Sequence, residues 1–294
     1  MASIDTAIVT EGGGQRGIYT AGVLDIFLAE QFNPFNIGCG VSAGAQNLLT
    51  YYLRQPGYAK RAILELTAAD DFLVPYRWMA ARNIIDLDGY FERTLRDPDY
   101  WLPYQGVNDV QRLNTLQFVA TDKHSLEPIY LQPDELSVIS SLKASCAVPI
   151  LYKSGVRIGE RILVDGSVAD PLPVQHAYEL GARRILLIRT VHRNSLANYA
   201  LWRRRIESAR KLLIAPTKLL DMLERHETAM TKTWSFIHSP PKNLELIVIQ
   251  PQSPLRSRVF SSRPDALLAD YEQGRRDGQS AIHELKHWLE PLSS

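Results

Sequence analysis

Gly40-Val41-Ser42-Ala43-Gly44 is the stretch that decides the fold. Residues 36–41 are short, apolar and glycine-punctuated, the pattern of a buried strand, and residues 45–53 read as a helix. Ser42 therefore falls on a strand-to-helix junction. A serine on such an elbow has its Oγ pushed clear of the backbone, and the crowding there demands small neighbours, which Gly40 and Gly44 supply. The helix opening at Ala43 aims unpaired N–H groups and a partial positive charge at the same point, which favours developing negative charge. An ordinary glycine-flanked turn has the same five letters, so the neighbouring stretches have to decide between the two.

Upstream, Ala7-Ile8-Val9-Thr10 reads as a buried first strand and runs into Glu11-Gly12-Gly13-Gly14-Gln15-Arg16-Gly17. A helix follows, with apolar positions at Ile18, Ala21, Leu24 and Leu28. Three consecutive glycines leave N–H groups uncovered by side chains, and at a helix N-terminus such a loop binds an anion or an oxyanion. The spacing Gly12-x-Gly14-x-x-Gly17 also matches a dinucleotide fingerprint. That site needs an acidic residue ~20 residues on, at the end of the second strand. Here the second strand ends in the serine elbow, and Asp25 and Glu30 fall on or just after the helix. No nucleotide cofactor is expected.

Downstream, residues 116–121, 128–131 and 161–164 read as strands and 135–144 as a helix with Leu136, Ile139 and Leu142 on its apolar face. Asp165-Gly166-Ser167 closes the 161–164 strand, beyond the strand ends where ligands gather in open α/β sheets. Residues 173–181 read as a helix, 184–190 and 244–249 as strands, and 264–290 as one or two C-terminal helices. Between 51 and 104 the periodicity breaks, and aromatic residues such as Tyr58, Phe72, Tyr76, Tyr90, Phe91 and Trp101 are interleaved with arginines. Such a segment just after the elbow suits the wall or lid of an apolar pocket.

With 33 basic against 32 acidic residues in a chain of 294, the net charge of +1 gives no global field toward nucleic acid. Cys39 and Cys146 are too few for a disulfide framework, and the N-terminal residues lack a basic-then-apolar signal pattern, so the expected compartment is the cytoplasm. No apolar run reaches the ~20 residues that span a bilayer. Peripheral contact with the inner face of a membrane is the remaining mode, offered by basic amphipathic helices at 199–214 and 218–232 that carry Arg203, Arg204, Arg205, Arg210, Lys211 and Lys218. A solvated helix face accounts for the same charges. With no internal repeat or linker, a single domain over 1–294 is expected.

Serine needs a base within hydrogen-bond reach and an oxyanion site facing the carbonyl it attacks. The chain resembles the patatin-like phospholipase family of acyl hydrolases in four motifs in order: Gly12-Gly-Gly-Gln-Arg-Gly17, Gly40-Val-Ser-Ala-Gly44, Ala144-Ser-Cys-Ala-Val-Pro149 and Asp165-Gly-Ser167. The resemblance covers a core of about residues 5–175, with 176–294 as an extension of further helices and strands. It implies a three-layer α/β/α sandwich, a variant of the α/β-hydrolase architecture, and a serine lipid acyl hydrolase without cofactor or metal. By the same resemblance Ser42 is the nucleophile, Asp165 its base, and Gly12, Gly13 and Gly14 the oxyanion hole, in a loop braced by Arg16 and ending at Gly17; Gly166 and Ser167 complete the Asp-Gly motif. The chain departs from the family pattern at Glu11, often Asp, at Ser167, usually Gly or Ala, and at Asp170, commonly Asn. A second carboxylate at 170 is expected to raise one of the two acidic pKa values. Two alternatives stay open: a Ser-Asp-His triad using His192, and a catalytically silent lipid-binding or scaffolding protein of the same fold.

Overall fold

The computed structural model describes residues 5–80, 82–192 and 217–289, leaving the basic stretch 199–214 outside the described residues. Eight strands form one sheet: β1 (Thr6–Thr10), β2 (Ile37–Val41), β3 (Thr115–Asp122), β4 (Pro128–Leu131), β5 (Val156–Ile158), β6 (Arg161–Asp165), β7 (Arg184–Ile188) and β8 (Glu245–Ile249). Each is paired to the next in the order β5-β6-β3-β2-β1-β7-β8, with β4 also on β3. The five strands from β3 to β8 run parallel, whereas β4 and β6 are antiparallel to β3.

The glycine-free strands β1 and β7 carry buried apolar residues on both faces, because each face packs on helices. Ile8, Leu186 and Ile188 point into one core, and Ala7, Val9, Ile185 and Leu187 into the other. The first core is closed by α1 (Gly17–Ala29), α2 (Ala43–Tyr52), α6 (Val138–Cys146) and the long C-terminal α9 (Pro264–Leu289). The second is closed by α7 (Val174–Glu179) and α8 (Thr217–His238), through residues such as Val174, Ala177 and Phe236. Helices on both faces of one sheet make the three-layer α/β/α sandwich that the motifs imply. No helix among the described residues is long and apolar enough to cross a membrane.

One local expectation changes, and two open readings are settled. The helix read from 135 begins at Val138, because Asp134 takes the N–H groups of Leu136 and Ser137 into a turn of its own. Leu136, counted on the apolar face, is therefore 93% exposed. The C-terminal segment is one helix. The irregular 51–104 stretch folds into α3 (Tyr58–Arg61), a π-helical turn (Ala62–Thr67) and α4 (Leu87–Arg96); the short α5 (Val107–Leu113) follows.

Candidate active site

Ser42 has φ 53° and ψ −125°, a left-handed conformation that a non-glycine residue holds only where its surroundings enforce it. The enforcement is close packing of backbone on backbone. A Cβ on Gly44 would lie 2.6 Å from the Thr10 carbonyl oxygen, and one on Gly40 would lie 2.6 Å from Cα of Ala45. Ser42 occupies the N-cap position of α2, where a serine hydroxyl ordinarily accepts an N–H of the first turn, yet this one makes no capping bond. Its own N–H donates to Oγ of the buried Ser145, at 2.8 Å. The backbone is thus held from below while Oγ stays available.

The partner of that hydroxyl comes from β6. β4 occupies one edge of β3 from Phe118 to Thr121, so β2 and β6 share the other edge in succession. Val41 pairs with Val119 and Asp165 with Ala120. Running in opposite directions, β2 and β6 meet head to head, which brings the Ser42 side chain close enough to the Asp165 carboxyl to pull its pKa down. Both residues stand at strand ends, as read from the sequence, but β6 is antiparallel, and it is its abutment on β2 that brings the two together. Gly166 is small because a Cβ there would lie 2.2 Å from the carbonyl oxygen that Val119 exposes where β2 leaves the edge.

Asp165 is 1% exposed, and burial pushes its pKa above the ordinary carboxylate value. The Ser167 hydroxyl and N–H, the latter at 2.8 Å, pull the other way, as do the Ser42 hydroxyl and the charge of His226. Ser167 thus holds the carboxylate in place. Asp170 is pushed up to about 6, again chiefly by burial, and it is tied to the Tyr130 hydroxyl at 2.8 Å. Burial, rather than the neighbouring carboxylate foreseen from sequence, is the leading cause for both.

Facing Ser42 is the glycine loop. A Cβ on Gly12 would lie 3.1 Å from Cβ of Ser42, so the two backbones touch. Gly13 at φ 149° and Gly14 at φ 56° take conformations that L side chains rarely adopt. Thr190 accepts no part of the site but anchors it: its Oγ1 donates to the Gly12 carbonyl at 2.8 Å, and its N–H to Glu11 Oε2 at 2.7 Å. Among the described residues, no protein acceptor receives the N–H of Gly12, Gly13 or Gly14. Gly17, grouped with this loop on sequence grounds, turns its N–H back to the carbonyls of Gly14 and Gln15 and packs against Ala43. The Arg16 guanidinium lies about 3.4 Å from where a Gly13 Cβ would be, and its buried Nε has no hydrogen-bond partner among the described residues.

Ser42, Asp165 and the three glycines line one cavity of about 620 Å³. Its wall is apolar and drawn largely from the aromatic stretch, through Tyr58, Phe72, Tyr90, Phe91 and Tyr104, whereas Tyr76 and Trp101 are exposed. Cys146 lines it too, but burial raises its thiol to about 12, so it stays protonated. His192 reaches the cavity, and so does His226, whose Nδ1 lies 2.5 Å from the Ser167 carbonyl. Sequence reasoning missed Ser145, Thr190, Gln15 and His226. Ser145 and Gln15 had a signal, their places in the 144–149 and 12–17 motifs; Thr190 and His226 depend on chain segments far apart in sequence.

A family model described as patatin-like phospholipase matches residues 8–178, and one described as a domain of unknown function, DUF6363, matches residues 217–290. The chain is 37% identical over 278 residues to the uncharacterised protein YjjU of Escherichia coli (strain K12), covering 93% of this chain and 76% of that one. Among solved structures it is similar to VipD from Legionella pneumophila, with a TM-score of 0.45, 12% identity, and coverage of 96% of this chain and 67% of the other.

Proposed function

The chain belongs to the patatin-like phospholipase family, and on that premise we propose that it hydrolyses a carboxylic ester of a lipid with Ser42 as nucleophile and Asp165 as general base. The observation that carries this reading is the strained, uncapped Ser42 standing where β2 meets β6, beside the buried carboxylate of Asp165, whose pKa is raised. A serine is a weak nucleophile until a base takes its proton, and a carboxylate at its ordinary pKa of ~3.9 is a weak base at neutral pH; burial moves Asp165 in the useful direction.

In the proposed reaction Ser42 Oγ attacks the acyl carbon while its proton passes to Asp165. The carbonyl oxygen becomes an oxyanion received by the N–H groups of Gly12, Gly13 and Gly14. Collapse expels the alcohol, which takes the proton back from Asp165, and leaves an acyl-Ser42 ester. Water, deprotonated by Asp165, attacks that ester; fatty acid departs and Ser42 regains its proton. The apolar wall of the cavity suits an acyl chain, since it removes methylenes from water at ~0.8 kcal/mol each.

The test is intact-mass analysis after treatment with a fluorophosphonate, on wild type and Ser42→Ala, alongside hydrolysis of a short-chain nitrophenyl ester. A single adduct on wild type and none on Ser42→Ala is expected. Equal labelling of both would remove Ser42 from the chemistry, and a wild type inert to probe and ester alike would leave a lipid-binding protein of the same fold.

A further inference from the structure

The region matched by the domain of unknown function touches the glycine loop directly. α9 lies on α1 with backbone against backbone: a Cβ on Gly274 would be 2.1 Å from the Tyr19 carbonyl oxygen, and one on Gly22 would be 2.2 Å from that of Tyr271. Two reciprocal bonds fix the register, Tyr19 Oη to Asp277 at 2.8 Å and Tyr271 Oη to Asp25 at 2.7 Å. α1 is the helix that follows the loop, so α9 has a fixed position relative to Gly12–Gly14.

From α9 a short strap reaches back. The buried Asp270 accepts the N–H of Arg256 on one carboxylate oxygen at 3.0 Å and that of Ser257 on the other at 2.7 Å. Beyond this anchor the chain turns, with Ser262 Oγ accepting the Arg258 N–H at 2.9 Å. At the turn the Val259 carbonyl accepts the Gln15 N–H at 2.9 Å and stands 2.3 Å from where a Gly14 Cβ would be. The Ser262 N–H donates to Gln15 Oε1 at 2.8 Å, and Gln15 Nε2 donates to the Thr67 carbonyl at 2.9 Å. Gln15 is therefore held by its backbone and by both ends of its side chain. The Val259 carbonyl takes the first loop N–H after the glycines, and it fixes the peptide plane between Gly14 and Gln15.

We propose that the C-terminal region 217–289 is a working part of the active site, its strap at 256–262 setting the geometry of the oxyanion loop, with Asp270 as the positioning residue that holds the strap. This rests on the reading of Gly12, Gly13 and Gly14 as oxyanion donors. Such donors act only when they are preorganised where charge develops, so a strap that fixes the adjoining peptide acts on the rate of chemistry rather than on substrate binding. Asp270 does so from outside the cavity, through its hydrogen bonds to the Arg256 and Ser257 N–H groups.

The experiment uses full-length wild type, Asp270→Asn and the milder Ser262→Ala. Competent sites are counted by end-point fluorophosphonate titration, kcat per titrated site and KM are measured on a nitrophenyl ester, and the inhibition constant is measured for an alkyl trifluoromethyl ketone, which forms a tetrahedral oxyanion on the serine. Asp270→Asn is expected to lower kcat per titrated site about 10- to 100-fold, within the range for a misplaced donor. The ketone should weaken by a similar factor while KM moves little, and Ser262→Ala should shift both in the same direction by less. Variants with fewer titratable sites but wild-type kcat and ketone affinity per site would reduce the strap to a stabilising contact and overturn the proposal. Should Asp270→Asn fail to fold, unchanged values for Ser262→Ala overturn it equally. A wild type that neither labels nor turns over would instead overturn the hydrolase reading beneath it.

Discussion

Val41 and Asp165 occupy successive positions along one edge of β3, Val41 opposite Val119 and Asp165 opposite Ala120. A strand ending in a serine elbow and an antiparallel strand ending in a carboxylate therefore abut, and a parallel pair of strands would have brought the two ends side by side instead. The first consequence is catalytic.

Asp165→Asn removes the proposed base while keeping its shape and the bond from the Ser167 N–H. Ester hydrolysis should fall at least 10³-fold, at the upper end of what a general base contributes and of what losing its tie to Ser42 adds. His192→Ala and His226→Ala, both at the cavity, should each retain most of the rate. A folded His192 or His226 variant as inactive as Asp165→Asn, measured by steady-state kinetics and circular dichroism, would favour a triad.

The pH profile follows from the raised pKa of Asp165. Only the ionised carboxylate accepts the Ser42 proton, so kcat/KM should climb with pH along a limb lying above the ordinary carboxylate range and then level off. Ser167→Ala deletes a hydroxyl that pulls this pKa down. The limb should then move to higher pH. A limb that stays put or moves to lower pH in Ser167→Ala would mean that another group sets it.

Asp170 has a folded-state pKa of about 6, above the ordinary carboxylate value of 3.8. The folded chain then binds more protons than the unfolded chain between those values, so this residue's contribution to stability is present at low pH and is lost as pH rises through about 6. Asp170→Asn keeps an acceptor for the Tyr130 hydroxyl without the buried charge. Its melting temperature should exceed that of wild type by a few degrees at pH 8, on the order of 2–4 °C per kcal/mol, and the gap should close near pH 4. Thermal unfolding at both pH values checks this, and an equal gap at each would exclude the buried charge as its source.

Gly44→Ala would drive a methyl group into the Thr10 and Glu11 carbonyls, 2.6 and 2.7 Å from its position. No flexible side chain can yield there. A loss of about 2–4 kcal/mol in denaturant unfolding is expected, the range for overpacking a tight backbone contact. Near-wild-type stability with intact labelling of Ser42 would show that the elbow can open.

The elbow, the glycine loop and the Asp-Gly turn could be read from the sequence because each is enforced locally. Close approach of backbone to backbone admits only glycine at positions such as Gly40, Gly44 and Gly166, and that requirement is written in the residue itself. The central strands were legible for a similar reason, since burial on both faces leaves an uninterrupted apolar run in β1 and β7. Strand direction is not written there. A buried run reads the same for a parallel and an antiparallel neighbour, so the reversal of β6 that brings Asp165 to Ser42 comes only from the pairing along β3. The helix α1 hid its partner in the same way: it is apolar almost all round, and only the tertiary structure reveals that α9 packs along it. Thr190, His226 and Asp270 carry no local signature, and the motif that holds Gln15 does not say what Gln15 bonds. Their roles depend on contacts between segments up to 247 residues apart, such as Ser262 with Gln15, which are fixed by the packing of the whole chain rather than by any stretch of it.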